Sequence, residues 1–124
     1  MKKTILIVDD QAEFRYLIKF NLEYSGYYTI EASDIIAGLE LIKSQEVDLA
    51  IIDISISESF DGLTMCRALK NNPLTAAIAI IIISGNDSTS AYLDASQAGC
   101  DKFLPKPFSI LKLIESVEQL LAKQ

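Results

Sequence analysis

Five short apolar runs alternate with five amphipathic stretches along the whole of this 124-residue chain, with no linker or internal repeat between them. Strands separated by connections of helical length pair in parallel, and a parallel sheet needs helices on both of its faces. The strand candidates are residues 4–8, 27–32, 48–53, 77–84 and 102–104. The first, third and fourth read as near-continuous Ile, Leu, Val and Ala, the composition of strands buried on both faces. The second, YYTIEA, mixes in polar groups and the fifth is short, so both suit sheet edges. Right-handed crossovers leave few doubly wound orders, and the flavodoxin-like order 2-1-3-4-5 fits these edges. The expected fold is α/β, a five-stranded parallel sheet with five helices, in one domain spanning residues 1–124.

The helix candidates carry their own stripes. Phe14, Leu17, Ile18 and Leu22 form the first, which stops near Gly26; Ile35, Ile36, Leu39 and Ile42 form the second. Leu63, Cys66 and Leu69 mark a third helix ending before Pro73, and Ile110, Leu111, Ile114, Val117 and Leu121 mark the fifth. The fourth, between residues 88 and 98, offers only Ala91, Ala95 and Ala98 to a core, which bury far less apolar area than Leu or Ile. It is expected to be the least firmly held helix, with less hydrogen-exchange protection than the fifth.

Composition removes several functional classes. A net charge of −6 with no clustered Lys or Arg would repel a phosphate backbone, which disfavours direct nucleic-acid binding. Cys66 and Cys100 lack the spacing of a zinc or redox site and are expected to be reduced, buried small hydrophobes. The opening MKKTILIVDD meets acid after four apolar residues, too few for a signal-peptide core, and no run approaches a membrane span. A cytoplasmic protein without membrane contact is expected. Met1 reads as a natural start, and an end at LLAKQ suits either a stand-alone domain or one cut from a longer protein.

The chemistry-bearing residues stand where strand runs stop: Asp9 and Asp10 after ILIV, Asp53 after DLAII, Ser84 after AIAIIII, and Lys106 after KFLP. Open parallel sheets bind ligands beyond the carboxyl ends of their strands, so these residues are expected to share one crevice. Two like charges ~4 Å apart repel by roughly 4 kcal/mol at an effective dielectric near 20, so three carboxylates there call for a cation or altered protonation. Hard oxygen donors without histidine favour magnesium or calcium. Each residue also has a plainer reading. Asp10 would be an N-cap worth ~1 kcal/mol, Asp53 a turn cap or a partner of Lys106, Ser84 part of a Ser-Gly turn, and Phe103 core. Lys106 is flanked by Pro105 and Pro107, which restrict where its ammonium points, and the Lys106-Pro107 bond is one that can be cis.

Taken together, VDD at 8–10, IID at 51–53, ISG at 83–85 and KPF at 106–108 resemble the receiver domain of two-component response regulators, across essentially the whole chain and most like the single-domain chemotaxis regulators. The resemblance implies that Asp53 accepts a phosphoryl group from a phosphohistidine on a sensor histidine kinase or histidine phosphotransfer protein. This chain has no histidine, so the donor is expected to be another molecule. It further implies that Asp10 and Asp53 ligate magnesium directly, Asp9 through water and Ser55 through its carbonyl. Ser84 and Lys106 would hold the phosphoryl oxygens, and Phe103 would be the aromatic switch that reshapes the face of helix four, strand five and helix five. Ser55 and Asn86 occupy the positions that adjust phosphorylation and dephosphorylation rates.

Output would pass to an effector protein or domain, from a monomer or a switchable homodimer, with only weak self-catalysed phosphotransfer and no metabolic substrate. Two departures stand out: the loop ISISESFDG at 54–62 lacks the frequent proline and is one residue longer before Asp61-Gly62, and Ser84 replaces the more usual Thr. Two other readings use the same residues. An aspartyl-nucleophile phosphohydrolase shares magnesium, lysine and hydroxyl, but resembles DxD after the first strand where this chain has DDQ. A receiver-like module that no longer accepts phosphate is the other.

Overall fold

The computed structural model describes residues 2–54, 62–85 and 89–122. Each apolar run forms a strand: β1 Thr4–Val8, β2 Tyr28–Ala32, β3 Leu49–Asp53, β4 Ala79–Ser84 and β5 Lys102–Pro105. Between and after them lie α1 Ala12–Tyr24, α2 Ile35–Ser44, α3 Gly62–Lys70, α4 Thr89–Gln97 and α5 Ile110–Ala122. All strand pairs are parallel and the order is β2-β1-β3-β4-β5, as expected, with the polar and short strands at the edges. Pro105, which has no amide proton to give a ladder, lies in edge strand β5.

The central strands β1, β3 and β4 divide their side chains between two cores by simple alternation. Leu6, Val8, Ala50, Ile52, Ile80 and Ile82 face one core with Ile35 of α2, Met65, Cys66 and Leu69 of α3, and Ala95 of α4. Ile5, Ile7, Leu49, Ile51, Ile81 and Ile83 face the other with Ile18 and Leu22 of α1 and Leu113, Val117 and Leu121 of α5. Helices α1 and α5 therefore cover one face of the sheet, and α2, α3 and α4 the other. The continuous apolar character of these strands follows from burial on both sides.

Three stripe residues do not face the core. Leu17 is 45% exposed, Ile36 68% and Leu111 67%. Leu17 and Ile36 each sit one position from a buried neighbour, Ile18 and Ile35, and one position is 100° of helix rotation, enough to turn a side chain off the inner stripe. On α5 the inner position belongs to Leu113, four residues before Val117 and absent from the expected stripe. Helix α4 does rest on Ala91, Ala95 and the adjoining Ala98. Helices α1 and α4 end alike. Gly26 and Gly99 take φ of 100° and 97°, a region open to glycine. The amides that follow, of Tyr27 and Cys100, donate back to the carbonyls of Leu22 and Ala95. Cys66 is buried and Cys100 half-buried, both as free thiols. Burial pushes the Cys66 thiol up to about 12, well away from reactivity at neutral pH.

Candidate functional site

The register that fills the cores also aligns the charged residues. Ile7 of β1 is level with Ile51 of β3. Asp9 and Asp53 each lie two residues further along, so alternation carries both onto the α1/α5 side at the same height, at the carboxyl edge of the sheet. Both are only 2% exposed. The backbone beyond the strands is tied to the sheet: the Asp9 amide donates to the Ala32 carbonyl at 3.1 Å, Ile54 to Ile83 at 3.1 Å, and Lys106 to Ser84 at 2.7 Å. Ser84 is buried and level with Pro105, one residue before Lys106.

Lys106 Nζ donates to Asp53 Oδ2 at 2.7 Å, joining residues 53 positions apart. The carboxylate is buried while the lysine side chain keeps 26% of its exposure, so the ammonium stays reachable from solvent. The Lys106-Pro107 bond is cis.

Asp9 is the strained member of the group. Its Oδ1 accepts the Gln11 amide at 2.9 Å, while Oδ2 is buried with no hydrogen-bond partner. Burial raises its carboxyl above the ordinary range, and the charges of Asp53 and Asp10 push the same way. The Gln11 amide and Lys106 pull against this. A buried, unpartnered carboxylate oxygen favours either a proton or a cation.

Asp10 is exposed and does not cap α1. The N-cap position is Gln11, with no side-chain bond, and it is Asp9 that takes the amide there. Asp9 and Asp53 are thus buried while Asp10 is exposed beside them, its charge still acting on the Asp9 carboxyl. Among the described residues no three acidic groups close into a ready-made metal cage. Magnesium asks less than that, since it keeps several waters and uses one or two carboxylates.

Phe103 is half-buried against the α2–α4 core, with Tyr92 of α4 packed edge-on at 5.9 Å and 82°. Ser55, Asn86 and Asp61 lie outside the described residues.

Two residues of the site have no counterpart among the motifs. Arg15 Nη1 donates to the Asp9 carbonyl at 2.6 Å while its Nε pairs with Glu31 at 3.0 Å. The Phe14 ring lies under Lys106 Nζ, 4.8 Å from its centroid. Phe14 had a signal only as a member of an apolar stripe, and nothing in its spacing ties it to a lysine 92 positions later.

The response regulator receiver domain model matches residues 5–118. This chain belongs to the response regulator receiver family. Response regulator MprA of Mycobacterium ulcerans is 32% identical over 123 residues, which are 99% of this chain and 52% of that protein. The chain thus spans about half the length of the curated relatives it matches. Among solved structures, a CheY-like receiver domain protein of Methanospirillum hungatei superposes with a TM-score of 0.91 at 27% identity, over 99% of this chain and 96% of that one. The receiver domain of Francisella response regulator 1452 gives 0.90 at 30% identity, over 98% of each. Receivers are signalling switches rather than metabolic enzymes, and their family role is phosphorylation-dependent signalling between sensor kinases and effectors. Among the described residues no helix is long and apolar enough to cross a membrane.

Proposed function

We propose that this receiver is switched by transfer of a phosphoryl group from a partner's phosphohistidine to Asp53. In the transfer the histidine N–P bond breaks as a carboxylate oxygen of Asp53 forms the new O–P bond, giving an acyl phosphate and a free imidazole. The observation that carries this reading is the buried Asp53 carboxylate held at 2.7 Å by Lys106 at the carboxyl edge of the sheet. The ion pair turns the carboxylate toward the crevice edge and keeps a cation near the incoming phosphoryl oxygens. Phosphoryl transfer depends mostly on such positioning and charge stabilisation.

Receivers generally bind magnesium in their acidic pocket, and the unpartnered Asp9 Oδ2 beside Asp53 fits a hard cation. Asp10 and Asp53 would hold it directly, Asp9 through water and Ser55 through its carbonyl. When bound, the ion neutralises charge on the phosphoryl oxygens and lets the two buried carboxylates stay ionised. Ser84, at the end of β4 and buried beside Lys106, would bind a phosphoryl oxygen, and Ser55 and Asn86 would tune the lifetime of the phosphorylated state.

The donor protein would approach past α1, whose outward face carries Tyr16, Leu17, Phe20 and Tyr24, all exposed. With Gln11, Glu13 and Phe14, the first three of these line an open groove of about 1000 Å³ that begins two residues from Asp9. An apolar surface of this kind suits a protein partner. The signal would leave through α4, β5 and α5 to an effector, with Phe103 moving as Ser84 closes on the phosphoryl group.

The test is incubation with magnesium and acetyl phosphate followed by intact mass. Wild type should gain one phosphate and Asp53→Asn none; equal labelling of the two would remove Asp53 from its role.

A further inference from the structure

We infer that Phe14 is a positioning residue for Lys106, holding the ammonium at Asp53 through the face of its ring. This rests on the reading of Asp53 and Lys106 as the acceptor pair. The Lys106 Nζ that donates to Asp53 Oδ2 at 2.7 Å is also 4.8 Å from the Phe14 ring centroid, inside the ~6 Å range over which an aromatic face attracts a cation. The ring is itself fixed. Phe108, two residues beyond Lys106 in the same turn, meets it edge-on at 5.8 Å and 77°, and both rings pack on the α1/α5 core. Phe14, Lys106, Pro107 and Phe108 also line one small concavity.

The need for such a device follows from the lysine. An ammonium on a flexible four-carbon stem, still 26% exposed, is poorly fixed by one ion pair, because solvent competes and the stem gives up rotamer freedom. The flanking prolines fix the backbone and leave the stem free. A second attraction from the ring narrows where the nitrogen can be. It also persists through the reaction: when the Asp53 carboxylate becomes an acyl phosphate, the lysine must pass from a carboxylate to phosphoryl oxygens, while the Phe14 face is unchanged. The ring supplies no hydrogen bond, so the lysine's donors remain for the oxygens.

The contact is tested by acetyl phosphate labelling rates with magnesium for wild type, Phe14→Leu and Phe14→Tyr, for Phe14→Leu placed on Lys106→Ala, and for protein carrying mono-, di- and trifluorinated phenylalanine at position 14. Fluorination drains the ring face while barely changing its shape. Phe14→Leu should label about three- to tenfold more slowly, the factor given by losing a cation–π contact of ordinary strength. Phe14→Tyr should stay near wild type, and the rate should fall stepwise with fluorine number. On the Lys106→Ala background Phe14→Leu should change nothing further. Full-rate labelling of Phe14→Leu, absence of a fluorine trend, or an equal effect of Phe14→Leu without Lys106 would overturn the proposal and leave the acceptor assignment intact. Failure of wild type to label on Asp53 would overturn both. A measurement independent of phosphorylation is the NMR shift of the Lys106 Cε protons, expected upfield in wild type and displaced toward random-coil values in folded Phe14→Leu; identical shifts in the two would contradict the contact.

Discussion

Helices α4 and α5 follow the last two ladder-forming strands of the same sheet, yet they are held very differently. Helix α5 runs thirteen residues and buries Leu113, Val117 and Leu121 beside Ile18 and Leu22 of α1. Helix α4 runs nine and the side chains it buries are alanines, at 91, 95 and just beyond its end at 98. A buried Leu or Val side chain contributes about 1.5–3 kcal/mol and an alanine methyl about 0.8. The charged site follows the same division. Asp9, Asp53 and the Phe14–Lys106 contact belong to the side that α1 and α5 pack firmly, while Phe103 and Tyr92 belong to the side that α4 covers lightly. A site of fixed geometry thus adjoins an element that can shift at small cost. Low-stability elements of this kind are where conformational responses arise.

Three substitutions probe how differently the two sides are held. Leu113→Ala should cost about 3 kcal/mol in a urea titration, because it leaves a cavity between the sheet and the α1/α5 layer that the surroundings fill only in part. Next in size is Asp9→Asn, which should stabilise the protein at neutral pH by about 1–2 kcal/mol by removing a buried charge with an unpartnered oxygen while keeping an acceptor for the Gln11 amide. The sign follows from the raised carboxyl: the folded protein holds this proton more tightly than the unfolded chain. Asp9 therefore subtracts stability as pH rises through that window, and the penalty is complete above the folded value. The gain from Asp9→Asn should accordingly shrink toward zero below the ordinary value of 3.8, and a gain that does not depend on pH would show that Asp9 carries no such penalty. Of similar size is Ala95→Gly in α4, expected to cost about 1.5 kcal/mol from helix propensity and a lost methyl together. If Ala95→Gly cost as much as Leu113→Ala, α4 would not be the lightly held element.

The parts of this molecule that could be read from its sequence are those set by one-dimensional rules. Strand order, edges and the placement of Asp9, Asp53, Ser84 and Lys106 at strand ends follow from apolar runs and their punctuation, and Gly26 marked the end of α1 as a glycine able to take positive φ. The alanine face of α4 was likewise visible. The errors came where a helix is apolar nearly all round. Leu17 beside Ile18, and Ile36 beside Ile35, satisfy a stripe equally well by count, and only packing decides which turns inward. On α1 that ambiguity concealed an outward face of Tyr16, Leu17, Phe20 and Tyr24. The N-cap that is the plainer reading of Asp10 is not made: Gln11 holds that position without a side-chain bond, and it is Asp9 that accepts the Gln11 amide. The contact of Phe14 with Lys106 is a product of folding alone.

On the proposed reading, phosphorylation of Asp53 at the firmly packed site is expressed as motion in the lightly packed helix. Peptide-resolved hydrogen exchange before and after acetyl phosphate treatment with magnesium, on wild type and Asp53→Asn, measures that motion. Exchange in residues 89–97 should be faster than in 110–122 before treatment, and should change on phosphorylation in wild type only, by a larger factor in α4 than in α5. Equal protection of the two helices, or an α4 that exchanges identically with and without phosphate on Asp53, would contradict it.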